Sequence, residues 1–176
     1  MRFYYVLLLI IGLTACKSGH QLKKTEHFGT GILVVDKIDY IKGIAIDRKI
    51  IDKCQLPEKL TTHIDKFAAK HYGQVLVNTN IASVPTSTEV LKVKIVDISG
   101  NAKGTWSGAK YIAIAGTLQK NGEILGDFKD KCVSDSSVFG VYKGTCGIMQ
   151  QCIKNLGKDV AKWLQHPAKN GVLGDD

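Results

Sequence analysis

Proline is scarce in this chain, 3 residues in 176, and aromatic residues make up only 7%. That excludes collagen and Pro-rich extended architectures, while 44% hydrophobic against 23% charged residues excludes wholesale disorder. Acidic groups are the minority: 16 Asp+Glu stand against 24 Lys+Arg, a formal net charge of +8. The excess suits anionic partners or surfaces without selecting one. Long apolar runs are also missing apart from Phe3 to Leu13, which is shorter than the roughly 20 residues a membrane-spanning helix needs. The bulk of the chain therefore reads as one soluble domain of ordinary size.

Several signatures of chemistry are missing too. The four cysteines beyond residue 16 contain no Cys-x2-Cys pair, so a zinc site competes poorly with disulfides. The glycine-rich stretches Gly100–Gly104 and Gly140–Thr145 lack the Gly-Lys-Ser/Thr ending of a P-loop. Ser107-Gly108 is not embedded in Gly-x-Ser-x-Gly, the strained elbow of a hydrolase nucleophile. No catalytic residue, metal or cofactor is expected. A single tryptophan in the loop around Trp106 offers no stacking platform for nucleic acid.

What is present begins with an address. Met1-Arg2 gives a positive start, the apolar run follows, and Leu13-Thr14-Ala15-Cys16 closes it with small residues before a cysteine, the layout of a secretory signal. Those four residues resemble the lipobox of bacterial lipoproteins. The resemblance implies removal of residues 1–15 and acylation of Cys16 as the new N-terminus, with two or three acyl chains holding the protein on a bilayer. In that family the residue after the cysteine influences sorting, and Lys17 is similar to the outer-membrane choice of Gram-negative bacteria. Residues 16–31 are polar and aperiodic and read as a lipidated tether, with His20 and His27 as tether residues.

Residues 32–167 read as one α+β domain: two helices packed on one face of a mostly antiparallel sheet. Ile32–Val35 opens a β-branched run continuing through Ile38, Tyr40 and Ile44–Ile46, either one long strand or a hairpin around Gly43. Leu56-Pro57-Glu58 begins a helix whose apolar positions Leu60, Ile64, Phe67, Ala68 and His71 recur until Gly73. Gln74–Thr79 is β-prone. Glu89–Ser99 alternates Leu91, Val93 and Ile95 with Lys92 and Lys94, so one face is buried and one basic. Tyr111–Leu118 and Glu123–Cys132 form a hairpin on Asn121-Gly122, because a type I′ turn needs positive φ at both central residues. Ile124, Phe128 and Cys132 share its inward face. A last helix carries Met149, Cys152, Ile153, Leu156, Val160 and Leu164 and ends before Pro167. The tail 168–176 is expected to fray.

Cys54, Cys132, Cys146 and Cys152 are an even set in an exported chain, which makes disulfides the default. Three connectivities are open, and the reading favours Cys132–Cys146 with Cys54–Cys152. His63 and His71 read as core-edge residues, although a small envelope hydrolase would place its nucleophile near one of them. Lys154, Lys158 and Lys162 form an i, i+4, i+8 row, and Lys92 and Lys94 add a basic strand face. These are solvated surface or a contact for phospholipid headgroups, lipopolysaccharide or an acidic protein.

From Val90 to Leu164 the order is strand, Gly-rich loop, strand, Asn-Gly turn, strand, Ser/Gly loop and a helix ending in Asn155-Leu156-Gly157-Lys158-Asp159-Val160-Ala161-Lys162-Trp163-Leu164. This resembles the domain-of-unknown-function lipoproteins of Gram-negative envelopes. The resemblance implies a non-catalytic outer-membrane lipoprotein, its domain facing periplasm or cell surface and binding an envelope protein or glycan. The alternative is an accessory factor in lipid or lipopolysaccharide transport.

Overall fold

A computed structural model describes residues 31–99, 110–134 and 144–174. In chain order these form β1 (Ile32–Val35), β2 (Asp39–Tyr40), α1 (Arg48–Cys54), α2 (Leu56–Ala68), β3 (Gln74–Val77), β4 (Glu89–Ser99), β5 (Lys110–Lys120), β6 (Glu123–Ser134), α3 (Thr145–Trp163) and β7 (Gly171–Leu173). A 3-10 turn, Ile81–Ser83, lies between β3 and β4. The described residues form a single α+β domain with three helices and a seven-stranded sheet.

The sheet is mixed, which corrects the mostly antiparallel expectation. Its order is β3-β1-β4-β5-β6-β7, with β2 continuing beside β4. The β1–β3, β1–β4, β2–β4 and β6–β7 pairs are parallel, and β5 alone runs against its neighbours. Parallel neighbours cannot be joined by tight turns, so each outer pair needs a helical crossover. The segment α1–α2 carries the chain from β1 to β3, and α3 carries it from β6 to β7. The first β-branched run is neither one strand nor a hairpin: β1 pairs with Leu91 and its predecessors, β2 with Lys94 and Ile95, and both follow β4 in one direction.

Two helices were expected and three are present among the described residues. Helix α1 has seven residues, too short to hold itself in water. It persists because Asp47 caps it, accepting from the Lys49 N–H at 2.9 Å, and because Ile50 and Cys54 are buried. Gln55, at φ 49°, then turns the chain into α2, whose second residue is Pro57.

The Asn121-Gly122 hairpin forms as its turn chemistry demands, with φ values of 54° and 78°. Two bulges set which residues face inward. Ile95 pairs with Ile114 and Asp97 with Ala113, leaving Val96 as the extra residue; Leu118 pairs with Gly126 and Gln119 with Ile124, leaving Leu125. A bulge shifts the alternation by one residue. Ile124, expected inward with Phe128, is therefore 43% exposed, while Leu125 packs on the core.

All three helices lie on one side of the sheet, where Leu33, Val35, Leu91, Ile95, Ile112, Ile114 and Phe128 meet Leu60, Ile64, Met149, Ile153, Leu156 and Val160. Phe128 packs on Trp163 with ring centroids 4.8 Å apart. Gly116 makes room for it: a Cβ there would stand 2.6 Å from the Phe128 ring and 2.8 Å from the Lys92 carbonyl oxygen. The tail does not fray over residues 171–173, which pair with Phe128–Asp130 as β7. Asn170 turns the chain at φ 55°, and the Asp127 N–H donates to the Ala168 carbonyl, fixing the approach.

Candidate functional site

Cys16, His20, His27 and the whole signal and tether lie outside the described residues, as do the loops at 100–109 and 135–143. The other four cysteines form Cys54–Cys146 and Cys132–Cys152, with Cα separations of 5.0 and 5.4 Å. The favoured pairing is thus overturned, and the reason is the path of α3. Its first turn starts beside the end of α1, bringing Cys146 to Cys54. Six residues on, about 9 Å along the axis, Cys152 lies over Cys132 on the inward row of β6.

Helices α2 and α3 run parallel. Contacts advance together in both, from Cys54–Cys146 just before α2, through His63–Gly157, to His71–Gln165 just past the two helix ends. His63 sits at the crossing, 6.2 Å from the Phe67 ring, with its Nδ1 buried and without a hydrogen-bond partner among the described residues. Its pKa is lowered by burial and then by the charges of Lys66 and Lys154, so the neutral ring is favoured. The Gln165 amide Nε2 donates to His71 Nε2 at 3.1 Å, an arrangement that needs the neutral ring's proton on Nδ1. The two histidines are eight residues apart and each is engaged with α3 separately; they do not converge on one cleft.

A polar cluster that sequence reasoning missed closes one end of the sheet. Glu89, 9% exposed, accepts from the Tyr72 hydroxyl at 2.9 Å and pairs with Lys120 Nζ at 3.3 Å. The only sequence signal was an acidic residue at an inward position of the β4 alternation. Burial first and then the Glu89 charge and hydrogen bond push the Tyr72 phenol far above its ordinary range. At Tyr40, burial, Glu58 and Asp39 raise it to about 12.

The lysines singled out from the sequence fall on opposite sides of the molecule. Lys154, Lys158 and Lys162 are exposed on α3, on the helix side. Lys92 and Lys94 are exposed on the far face of the sheet, where Lys129 and Lys131 join them across β5. That face also carries acids: Asp97 and Asp127 share cross-strand rows with Lys131 and Lys92, and Asp39 pairs beside Lys94. Asp97 accepts from the Tyr111 hydroxyl at 2.8 Å, holding that phenol's pKa up, and Lys131 Nζ lies 4.1 Å over the Tyr111 ring. The described residues include two grooves of note. One of about 530 Å³ lies between α3 and β7, lined by Lys158, Lys162, Trp163, His166, Val172 and Leu173. The other, about 180 Å³, lies where Ile81, Val84 and Pro85 approach Val90 and Lys92. Among the described residues no group of three or more His, Cys, Asp or Glu side chains could hold a metal ion, and no helix is long and apolar enough to cross a membrane.

These features define an α+β domain whose mixed sheet has helices on one face and an open second face among the described residues. No protein-family model and no curated protein sequence matches the chain. Solved structures do share its fold. One is an uncharacterized protein at 13% identity and TM-score 0.54, matched over 77% of this chain and 93% of its own. Another is a Xanthomonas campestris protein assigned to the domain-of-unknown-function family DUF330, at 9% identity and TM-score 0.50, over 78% and 86%. At such identities the likeness is one of fold.

Proposed function

We propose that this chain is a lipid-anchored resident of the Gram-negative outer membrane, acylated at Cys16 after loss of residues 1–15, and that its domain binds an envelope protein or glycan instead of catalysing a reaction. The observation that carries the reading is Leu13-Thr14-Ala15-Cys16 at the end of the apolar run. Two disulfides uniting β6, α1 and α3 support export, since such bridges persist in oxidising compartments.

The test is expression of the chain in a Gram-negative host with an alkyne-tagged palmitate, followed by fractionation and intact-mass measurement. The wild-type chain is expected to carry the label, begin at residue 16 and partition with the outer membrane. Cys16→Ser is expected to lose the label and accumulate with residues 1–15 attached. An unlabelled wild-type chain in the soluble fraction overturns the proposal.

A further inference from the structure

Among the described residues the net charge is concentrated in one layer. Across the helices and the residues capping and closing them, 47–70 and 145–169, ten Lys or Arg stand against five Asp or Glu. Across all other described residues eight face seven. The sheet layer is thus close to neutral, with its lysines interleaved among acids, while the helix layer carries five net positive charges. That excess is not scattered. Lys154, Lys158 and Lys162 follow one another at successive turns of α3, Lys66 and Lys70 lie at the end of the parallel helix α2, and all five are exposed. His63 of α2 meets Gly157 of α3, and Lys66 and Lys154 each stand about one turn from that contact, so the lysines of the two helices share one surface.

From this segregation we infer that the outer face of α2 and α3 docks the domain onto an anionic phospholipid bilayer. The inference rests on the lipid anchor proposed above and adds the orientation the domain takes beside it. Only fifteen residues, 17–31, separate the proposed anchor from β1, a covalent reach of at most about 50 Å, so the domain stays in the vicinity of the surface. Within a Debye length of an anionic bilayer each lysine favours contact by a factor of about five, and a layer with five net charges outcompetes a nearly neutral one.

The acylated mature protein, incorporated in vesicles of phosphatidylcholine alone or with about one-third phosphatidylglycerol, is treated with an amine-reactive reagent, and each lysine's labelling rate is read by mass spectrometry. In phosphatidylglycerol vesicles Lys66, Lys70, Lys154, Lys158 and Lys162 are expected to label at least fivefold more slowly than in phosphatidylcholine. Lys92, Lys94 and Lys129 should keep their rates, and 0.5 M salt should abolish the protection. The triple charge reversal K154E/K158E/K162E should release Lys66 and Lys70, whereas K92E/K94E should leave them protected. Equal protection of both faces, protection that survives salt, or no protection in phosphatidylglycerol overturns the inference. So does protection only when lipopolysaccharide is added to phosphatidylcholine, which would name a glycolipid instead. Failure of the protein to become acylated removes the anchor reading; a protein that anchors without protection removes only this one.

Discussion

Gly157→Ala sets two effects of opposite sign against each other. Gly157 lies in the interior of α3, where alanine is favoured over glycine by about 1 kcal/mol. At an unconstrained helical position the substitution would therefore stabilise. Here the new Cβ would stand 2.6 Å from the Cβ of His63 and 3.2 Å from the His63 carbonyl carbon and the Ile64 nitrogen. Those atoms belong to the α2 backbone or sit one bond from it, and no rotamer change can move them. Relief requires α2 to shift by about 1 Å, and overpacking of this kind costs about 1–3 kcal/mol. The cost exceeds the gain, and we expect a net destabilisation of about 1 kcal/mol. Urea denaturation of the disulfide-intact protein measures it. His63→Gly removes the nearest opposing atom, so Gly157→Ala should be less harmful in that background, with a coupling of about 1–2 kcal/mol. A wild-type background in which Gly157→Ala raises the midpoint would refute the close approach of α2 and α3.

Two further predictions concern the bridges and the tyrosines. Cys54–Cys146 closes a sequence separation of 92 and Cys132–Cys152 one of 20. Chain entropy then assigns about 4–5 and about 3 kcal/mol respectively, so C54A/C146A should lower the urea midpoint more than C132A/C152A; the reverse order contradicts the loop argument. Tyr40 is raised to about 12 and Tyr72 further, while both titrate near 10 in the unfolded chain. Above pH 10 the unfolded chain therefore holds fewer protons than the fold. Stability should be flat through these groups up to about pH 10 and then fall, by at most about 1.4 kcal/mol per pH unit for each and less for half-buried Tyr40. Tyr72→Phe should flatten the decline between pH 10 and 11.5 in urea titrations, and parallel declines in variant and wild type would dismiss the assignment.

Much of the fold was legible because local chemistry agreed with the tertiary outcome. The β4 span, Glu89–Ser99, follows directly from its alternation, and the hairpin from Asn121-Gly122. The start of α2 at Leu56 follows from Pro57. The misses share a physical origin: each was decided by something outside the local window. Helix α1 depends on its cap and on burial of Ile50 and Cys54, not on periodicity. Strand β7 exists because β6 offers an edge and because Gly171 lies against the Trp163 indole, where an added Cβ would meet Nε1 at 3.1 Å. Ile124 faces outward because Leu125 bulges. The parallel pairings of β1 and β7 depend on crossovers whose direction no single segment records. The disulfide pairing failed for the same reason, since without α1 nothing placed Cys54 beside the first turn of α3.

The candidate surface shows the same division between composition and arrangement. A formal charge of +8 is visible at once in the sequence, and so is the i, i+4, i+8 row on α3. Which charges cancel is a property of the sheet register. Lys92 faces Asp127 across Thr117, and Asp97 faces Lys131 across Ala113, although these partners are more than thirty positions apart in the chain. Strand pairing thus neutralises the basic strand face that alternation alone singles out. On α2 and α3 together lysines outnumber acids, and two parallel helices present their outer faces side by side. The electrostatically distinct side of the domain is the helical one, and Lys92 and Lys94, equal in rank to Lys154, Lys158 and Lys162 by sequence, become the control positions for it.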